Sequence, residues 1–220
     1  MAHLLHVDSS LFTETSVSKE IARTFRENWA EAHPGGVVTY RDLGTNPVAA
    51  LTEAALIGGM TPQDQRTPAQ EAALATRAEL VEEVLRADAY LLGVPMYNWA
   101  IPGTLKVWLD QVIEKDRTVT MGATPPLAGR PATVVLSYGG GYFPGTPREG
   151  WDFVQPYLET VLGKALGLDV TFVTTQLTLA ERNPAMSEFI PQAKELRAKA
   201  HESAAVQAKD IAARFELAAS

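Results

Sequence analysis

Short apolar runs and longer amphipathic stretches alternate five times along this chain of 220 residues. His3–Asp8, Val37–Asp42, Ala87–Val94, Ala132–Ser137 and Val170–Thr174 are brief and rich in Val, Leu, Thr or Tyr, which predicts strands. The third and fourth are apolar at their centres without alternation, the pattern of strands covered on both faces. Between them the apolar positions change to helical spacing, over Ser18–Ala32, Ala69–Arg86, Gly103–Ile113, Val154–Leu166 and Pro191–Leu217. In the second of these Leu74, Leu80, Val81, Val84 and Leu85 form most of the buried face. Pro34-Gly35-Gly36 makes the turn into the second strand, and Pro102 is expected in the first turn of the third helix, where a missing N–H is harmless. Residues 43–68 carry several Pro and Gly and no sustained period, so they read as a long excursion with one short helix near Glu53-Ala54-Ala55-Leu56. No repeat or linker interrupts the pattern, which predicts one domain over 1–220.

Strict alternation of strand and helix implies a parallel, doubly wound α/β sheet with right-handed crossovers and helices on both faces. Five strands without a second nucleotide-binding half favour the flavodoxin-like order 2-1-3-4-5. A formal net charge of −7 with no basic run leaves no footprint for nucleic acid or an anionic membrane. With Cys 0 there is no disulfide framework and no cysteine nucleophile. No apolar stretch approaches the ~20 residues of a membrane span, and no leader pattern is read, so a cytoplasmic protein is expected. His3, His6, His33 and His201 lack ligand spacing, so no metal is expected.

In open sheets of this kind ligands bind beyond the carboxyl ends of the strands. Three loops are placed there together. The first supplies six hydroxyls between Ser9 and Ser18, directly before a helix, where free N–H groups and the positive end of the helix dipole favour a phosphate. Simple N-capping needs only one of them. Neither the Gly-Lys-Ser/Thr of a Walker loop nor the glycines of a dinucleotide fingerprint are present. The second loop, Met96-Tyr97-Asn98-Trp99, offers aromatic faces and backbone N–H groups suited to a flat, heteroatom-rich ring. The third, Ser137-Tyr138-Gly139-Gly140-Gly141, permits close backbone approach, although a flexible turn would read the same way. Tyr142 and Phe143 follow it as candidate walls of a substrate pocket, with ordinary packing as the plainer alternative. Asp8 ends the first strand as in phospho-aspartyl proteins, but Thr174-Thr175-Gln176 stands where such a protein needs its lysine. No Gly-x-Ser-x-Gly elbow supports a hydrolase.

The run Pro95-Met96-Tyr97-Asn98-Trp99-x-Ile101-Pro102-x-x-Leu105-Lys106, taken with the other two loops, resembles the FMN-dependent NADH-azoreductase family. That family usually shows Met-Tyr-Asn-Phe at the second loop and Ser-Arg-Gly-Gly at the third, where this chain has Ser-Tyr-Gly-Gly. The resemblance implies that Ser10 and the Ser16-Val17-Ser18 turn hold the FMN phosphate. It also implies that Met96, Tyr97, Asn98 and Trp99 pack along the isoalloxazine, with Ser137, Tyr138, Gly139 and Gly140 at its other edge. The implied activity passes electrons from NADH or NADPH through FMN to a quinone or azo compound, in a ping-pong sequence, on a homodimer. Because the flavin carries the chemistry, no catalytic side chain is expected. The rival readings are a flavodoxin-type electron carrier serving a protein partner and a flavin-free ligand-binding protein of the same fold.

Overall fold

The structure, a computed structural model, describes residues 2–120 and 122–219, with side chains as far as residue 215. Five strands, β1 (His3–Asp8), β2 (Val37–Asp42), β3 (Ala89–Pro95), β4 (Pro131–Ser137) and β5 (Asp169–Thr175), form one parallel sheet in the order β2-β1-β3-β4-β5. That is the order expected from the alternation. The central strands β3 and β4 are buried at every residue, whereas the edge strand β2 has no fully buried residue and β5 buries only Val173 and Thr175. Burial on both faces is why only the central pair reads as an unbroken apolar run.

Two helical layers cover the sheet. On one face α1 (Val17–Ala32) and α6 (Ile190–Ala219) bury Ile21, Phe25 and Trp29 against Ala200, Ala204, Ala208 and Ile211. Alanines four residues apart on α6 let its backbone approach α1 closely. On the other face α3 (Pro68–Arg86), α4 (Gly103–Val112) and α5 (Gln155–Leu158) bury Leu80, Val84, Leu105, Trp108, Leu109 and Leu158 against β1, β3 and β4. Helix α3 starts with a complete capping box, Thr67 accepting from Gln70 N–H while the Gln70 side chain accepts from Thr67 N–H.

Four local features depart from the sequence pattern. The short helix α2 (Glu53–Met60) runs four residues past Leu56. It buries only Ala55 and Gly58 and exposes Leu56, Ile57 and Met60, so no apolar stripe marks its length. Helix α5 widens into a π-helical segment at Glu159–Ala165, and a 3₁₀ segment at Pro184–Phe189 leads into α6. Pro102 stands immediately before α4 rather than inside its first turn.

Candidate functional site

Parallel pairing aligns Asp8 with Gly93 and Pro95 with Ser137, so β1, β3 and β4 end at one level of the sheet. Ser9 anchors the first loop there, with both its N–H and its hydroxyl donating to Gly93 carbonyl at 3.0 and 2.9 Å. Ser9 is fully buried, a strut beneath the loop rather than a ligand contact. Met96 N–H donates to Ser137 carbonyl at 2.9 Å, tying the second loop to the third.

The second loop is a tight reversal closed by reciprocal bonds, Tyr97 N–H to Ala100 carbonyl and Ala100 N–H to Tyr97 carbonyl, at 3.0 and 3.1 Å. Its two central residues, Asn98 and Trp99, both lie in the left-handed region at φ 49° and 66°. Asparagine tolerates that conformation; tryptophan does so at a strain on the order of 1–3 kcal/mol. Among the described residues neither Asn98 N–H nor Trp99 N–H donates to any group of the chain. The turn therefore presents two unspent donors side by side. Tyr97 points back to the first loop, its hydroxyl 3.3 Å from Ser10 Oγ and accepting from Leu11 N–H at 3.1 Å.

At the start of α1, Ser16 is the N-cap, its hydroxyl accepting from Lys19 N–H at 3.3 Å. Among the described residues Val17 and Ser18 N–H groups have no acceptor within the chain, and they sit at the positive end of a 16-residue helix. Ser18 is fully buried behind Ser16, with the two hydroxyls 3.2 Å apart. Its side chain supports the cap, and its N–H, like that of Val17, is left free by the helix itself.

A cavity of about 230 Å³ joins these parts, lined by Ser10, Ser16 and Val17 from the first loop, Pro95, Met96 and Tyr97 from the second, and Ser137 and Gly139 from the third. Asn98 and Trp99 continue directly from Tyr97 and do not line it. Tyr138 turns inward instead: it is 1% exposed and donates to Asp152 Oδ2 at 3.0 Å, and burial followed by the Asp152 charge raises its pKa far above that of a free tyrosine. Tyr142 packs on Tyr138 with ring centroids 5.6 Å apart, and Phe143 packs with the cluster around Leu177. Gly140 is roofed by Arg148, whose Nη1 would lie 2.6 Å from a Cβ there. Tyr138, Gly140, Tyr142 and Phe143 thus shape the floor and flank of the third loop without lining the cavity.

Sequence reasoning missed the fourth contributor, the loop after β5. Leu179 N–H and Leu177 N–H donate to Gly139 and Gly140 carbonyls at 3.1 Å, laying this loop along the third one. It brings Thr178, Leu179 and Arg182 to the cavity, and Arg182 donates to Thr15 carbonyl at 3.2 Å beside the α1 N-terminus. The signal was available in principle, because β5 ends at the same edge as β1, β3 and β4. A Cβ at Gly139 would come within 2.8 Å of Leu179 Cδ1, so the exposed Leu179 side chain would have to turn away. Also missed was the strap Trp151-Asp152-Phe153. Phe153 N–H donates to Trp99 carbonyl at 3.1 Å, and Trp151 meets Trp99 edge-on at 5.7 Å and 76°. Asp152 fastens this strap to Tyr138 and caps the following turn through Val154 N–H at 2.8 Å.

Larger hollows exist, one of about 280 Å³ between α1 and α6 and one of about 350 Å³ beside Asp88 and Pro131 at the amino edge of the sheet. Chemistry rather than size marks the 230 Å³ cleft, which Val17 at the α1 N-terminus and Arg182 line and beside which the Tyr97–Ala100 turn leaves two backbone donors unspent. Such a set fits a ligand with a phosphate at one end and a flat ring with acceptor atoms at the other.

Residues 2–202 match the model of a family described as having a flavodoxin-like fold. A curated relative from Streptomyces avermitilis, named FMN-dependent NADH:quinone oxidoreductase, is 51% identical over 216 residues, 98% of this chain and 99% of that protein. Another of that name from Streptomyces coelicolor is 49% identical over 216 residues, covering 98% and 97%. Among solved structures, an FMN-dependent NADH-azoreductase from Bacillus anthracis in complex with FMN superposes with a TM-score of 0.81, covering 96% of this chain and all of that one, at 20% identity. That likeness carries the fold. With about half of its residues shared across nearly its whole length, the chain belongs to the family of FMN-dependent NADH:quinone oxidoreductases within the flavodoxin-like fold.

Proposed function

We propose that the cleft binds FMN and that the protein is an FMN-dependent oxidoreductase taking electrons from NADH and passing them to quinones or azo compounds. The observation that carries this reading is the Tyr97–Ala100 turn, whose two left-handed residues leave adjacent N–H groups unspent beside a cleft that begins at the α1 N-terminus. When bound, FMN would accept hydride from the nicotinamide and deliver electrons to the acceptor, so the chain itself needs no nucleophile or acid–base pair.

Each part of the cleft then has a task. Val17 and Ser18 N–H groups, the Ser16 hydroxyl and Arg182 hold the phosphate. Tyr97 braces Ser10, and Met96 and Tyr97 pack along the ring. Asn98 and Trp99 N–H groups would serve the bound ring as donors where negative charge grows on reduction, since donors fixed by the turn would stabilise it without reorganising. Ser137 and Gly139 close the opposite side.

At about 230 Å³ the cleft is smaller than the roughly 300–1,000 Å³ of most small-molecule sites. Around it Leu11, Phe12, Trp99, Trp151 and Phe153 are exposed, the last to 63%. An apolar rim of this kind suits closure by a second copy of the chain, which completes the site and supplies the homodimer. With the mouth so narrowed, donor and acceptor occupy one face in turn, giving ping-pong kinetics.

Stopped-flow mixing of the FMN-loaded protein with NADH tests the reading. The flavin absorbance bleaches without any partner protein and returns on adding a quinone, and steady-state lines at several quinone concentrations run parallel. Bleaching only with a separate reductase would identify an electron carrier instead. A purified protein that takes up no flavin would overturn the reading altogether.

A further inference from the structure

The flank of the cleft carries a cation that holding FMN does not use. Arg148 stands in the connection between the third loop and the strap, and its exposed side chain folds back over that loop. Its Nη1 lies 2.6 Å from where a Cβ on Gly140 would be, and its guanidinium lies over the Tyr142 ring, 6.0 Å from the centroid. Gly139, one Cα step of about 3.8 Å before Gly140, lines the cleft.

The segment that carries Arg148 is wound and bonded. Thr146 N–H donates to Phe143 carbonyl at 3.2 Å, Glu149 N–H to Thr146 carbonyl at 3.1 Å, and Trp151 N–H to Arg148 carbonyl at 3.1 Å. Gly145 and Gly150, at φ 83° and 79°, make left-handed reversals on either side of Arg148 that glycine adopts without strain. The acids nearest in sequence are spent elsewhere. Glu149 accepts from Gly145 N–H at 2.8 Å, and Asp152 accepts from Tyr138 hydroxyl at 3.0 Å. Among the described residues Arg148 pairs with no carboxylate and its guanidinium donates no hydrogen bond, in a chain of net charge −7. A guanidinium offers five donors in a planar fork that matches a two-oxygen anion. This one is unspent.

The connection runs on from Arg148 into Trp151, which is exposed and meets Trp99 edge-on. An aromatic surface next to one unpaired guanidinium suits a flat ring that bears a single acid group. We propose that Arg148 is a specificity-determining residue, binding the sulfonate or carboxylate of an anionic aromatic acceptor whose ring lies against Trp99 and Trp151. This rests on the reading of the cleft as an FMN-dependent quinone or azo reductase, and it names the class of acceptor favoured there. The nicotinamide donor is anionic too, but its pyrophosphate brings two charges where the flank offers one guanidinium.

Two measurements on the FMN-loaded protein test this. In the first, naphthalene-2-sulfonate, an aromatic anion that is not an acceptor, is titrated by calorimetry. It binds saturably at one site per chain, and Arg148→Gln weakens it at least about fivefold, the worth of one partly solvated charge-assisted bond. Arg148→Lys, which keeps the charge and loses the fork, falls between the two. In the second, 1,4-naphthoquinone and its 2-sulfonate are compared as acceptors at saturating NADH. Arg148→Gln lowers kcat/KM for the sulfonate, relative to the parent quinone, at least about fivefold, and the loss lies in KM rather than kcat. Added salt narrows the same ratio in the unaltered protein and not in the variant. Sulfonate bound through Arg148 by a protein that reduces neither quinone would uphold the anion contact and fault the reductase reading alone. Equal losses for both quinones, which a merely structural role would give, would overturn the proposal. So would an unchanged ratio, or a rise confined to the Michaelis constant for NADH.

Discussion

In β3 every residue from Ala89 to Pro95 is buried and bonded into the sheet, whereas a few residues on the backbone is left-handed, Trp99 is 44% exposed and two neighbouring N–H groups donate to nothing in the chain. The two segments are contiguous, yet the first spends its polar groups on the fold and the second withholds them. A strand paired on both edges and covered on both faces is rigid enough to hold its successor in a conformation that would otherwise relax. The difference teaches where the fold ends and the site begins: at Met96, whose N–H is the last one given to the sheet edge, bonded to Ser137 carbonyl at 2.9 Å.

If that division is right, substitutions on the two sides separate stability from binding. The largest effect belongs to the core. Leu91→Ala in β3, fully buried, costs about 2–5 kcal/mol of unfolding free energy by denaturant titration and leaves FMN affinity of the folded protein within about twofold. A comparable loss of FMN affinity would show that core and site are not separable.

Next comes the phosphate end. Ser16→Ala weakens FMN binding by about 10- to 150-fold, the worth of one hydrogen bond to a charged group, measured by fluorescence quenching. Because Ser16 also caps α1, unfolding free energy falls with it by about 1 kcal/mol. Full FMN affinity in this variant would place the phosphate elsewhere.

Tyr138→Phe is smaller and sits on the boundary. It strips Asp152 of a buried donor and loosens the strap carrying Trp151 and Phe153, for about 1–2 kcal/mol of stability. The accompanying change is in the Michaelis constant for the acceptor rather than in FMN affinity, since Tyr138 lies under the site without lining the cleft. The smallest net effect is expected for Trp99→Gly. Glycine relieves the left-handed strain while forfeiting an edge-on contact with Trp151 of about 0.5–1.5 kcal/mol, so stability hardly moves. Acceptor preference shifts all the same. A large loss of stability would mean that the turn is held by Trp99 rather than imposed on it.

The same division explains what could be read from the chain. Strands buried on both faces, such as Leu91-Leu92 and Val134-Val135, write their position as unbroken apolar runs, and the order of the sheet follows from alternation. Segments whose structure comes from contacts distant in sequence leave no such trace. Arg182 reaches Thr15 only because the loop after β5 lies along Gly139 and Gly140, and Trp151 meets Trp99 across a long irregular connection. The aromatic residues of the third loop illustrate the converse. Tyr138 and Tyr142 follow a strand end exactly as ligand-facing residues would, but one hydroxyl bond to Asp152 turns the first into the core and the second packs upon it. The π-helical widening at Glu159–Ala165 and the exposed apolar side chains of α2 likewise have no periodic signature.

The most direct measurement compares FMN with riboflavin on flavin-free protein by fluorescence titration, since the two differ only in the phosphate assigned to the α1 N-terminus. The account predicts saturable FMN binding at one site per chain, at least about 100-fold tighter than riboflavin, as two or more charge-assisted bonds to the phosphate require. Equal affinity for the two flavins, or binding of neither, would contradict it.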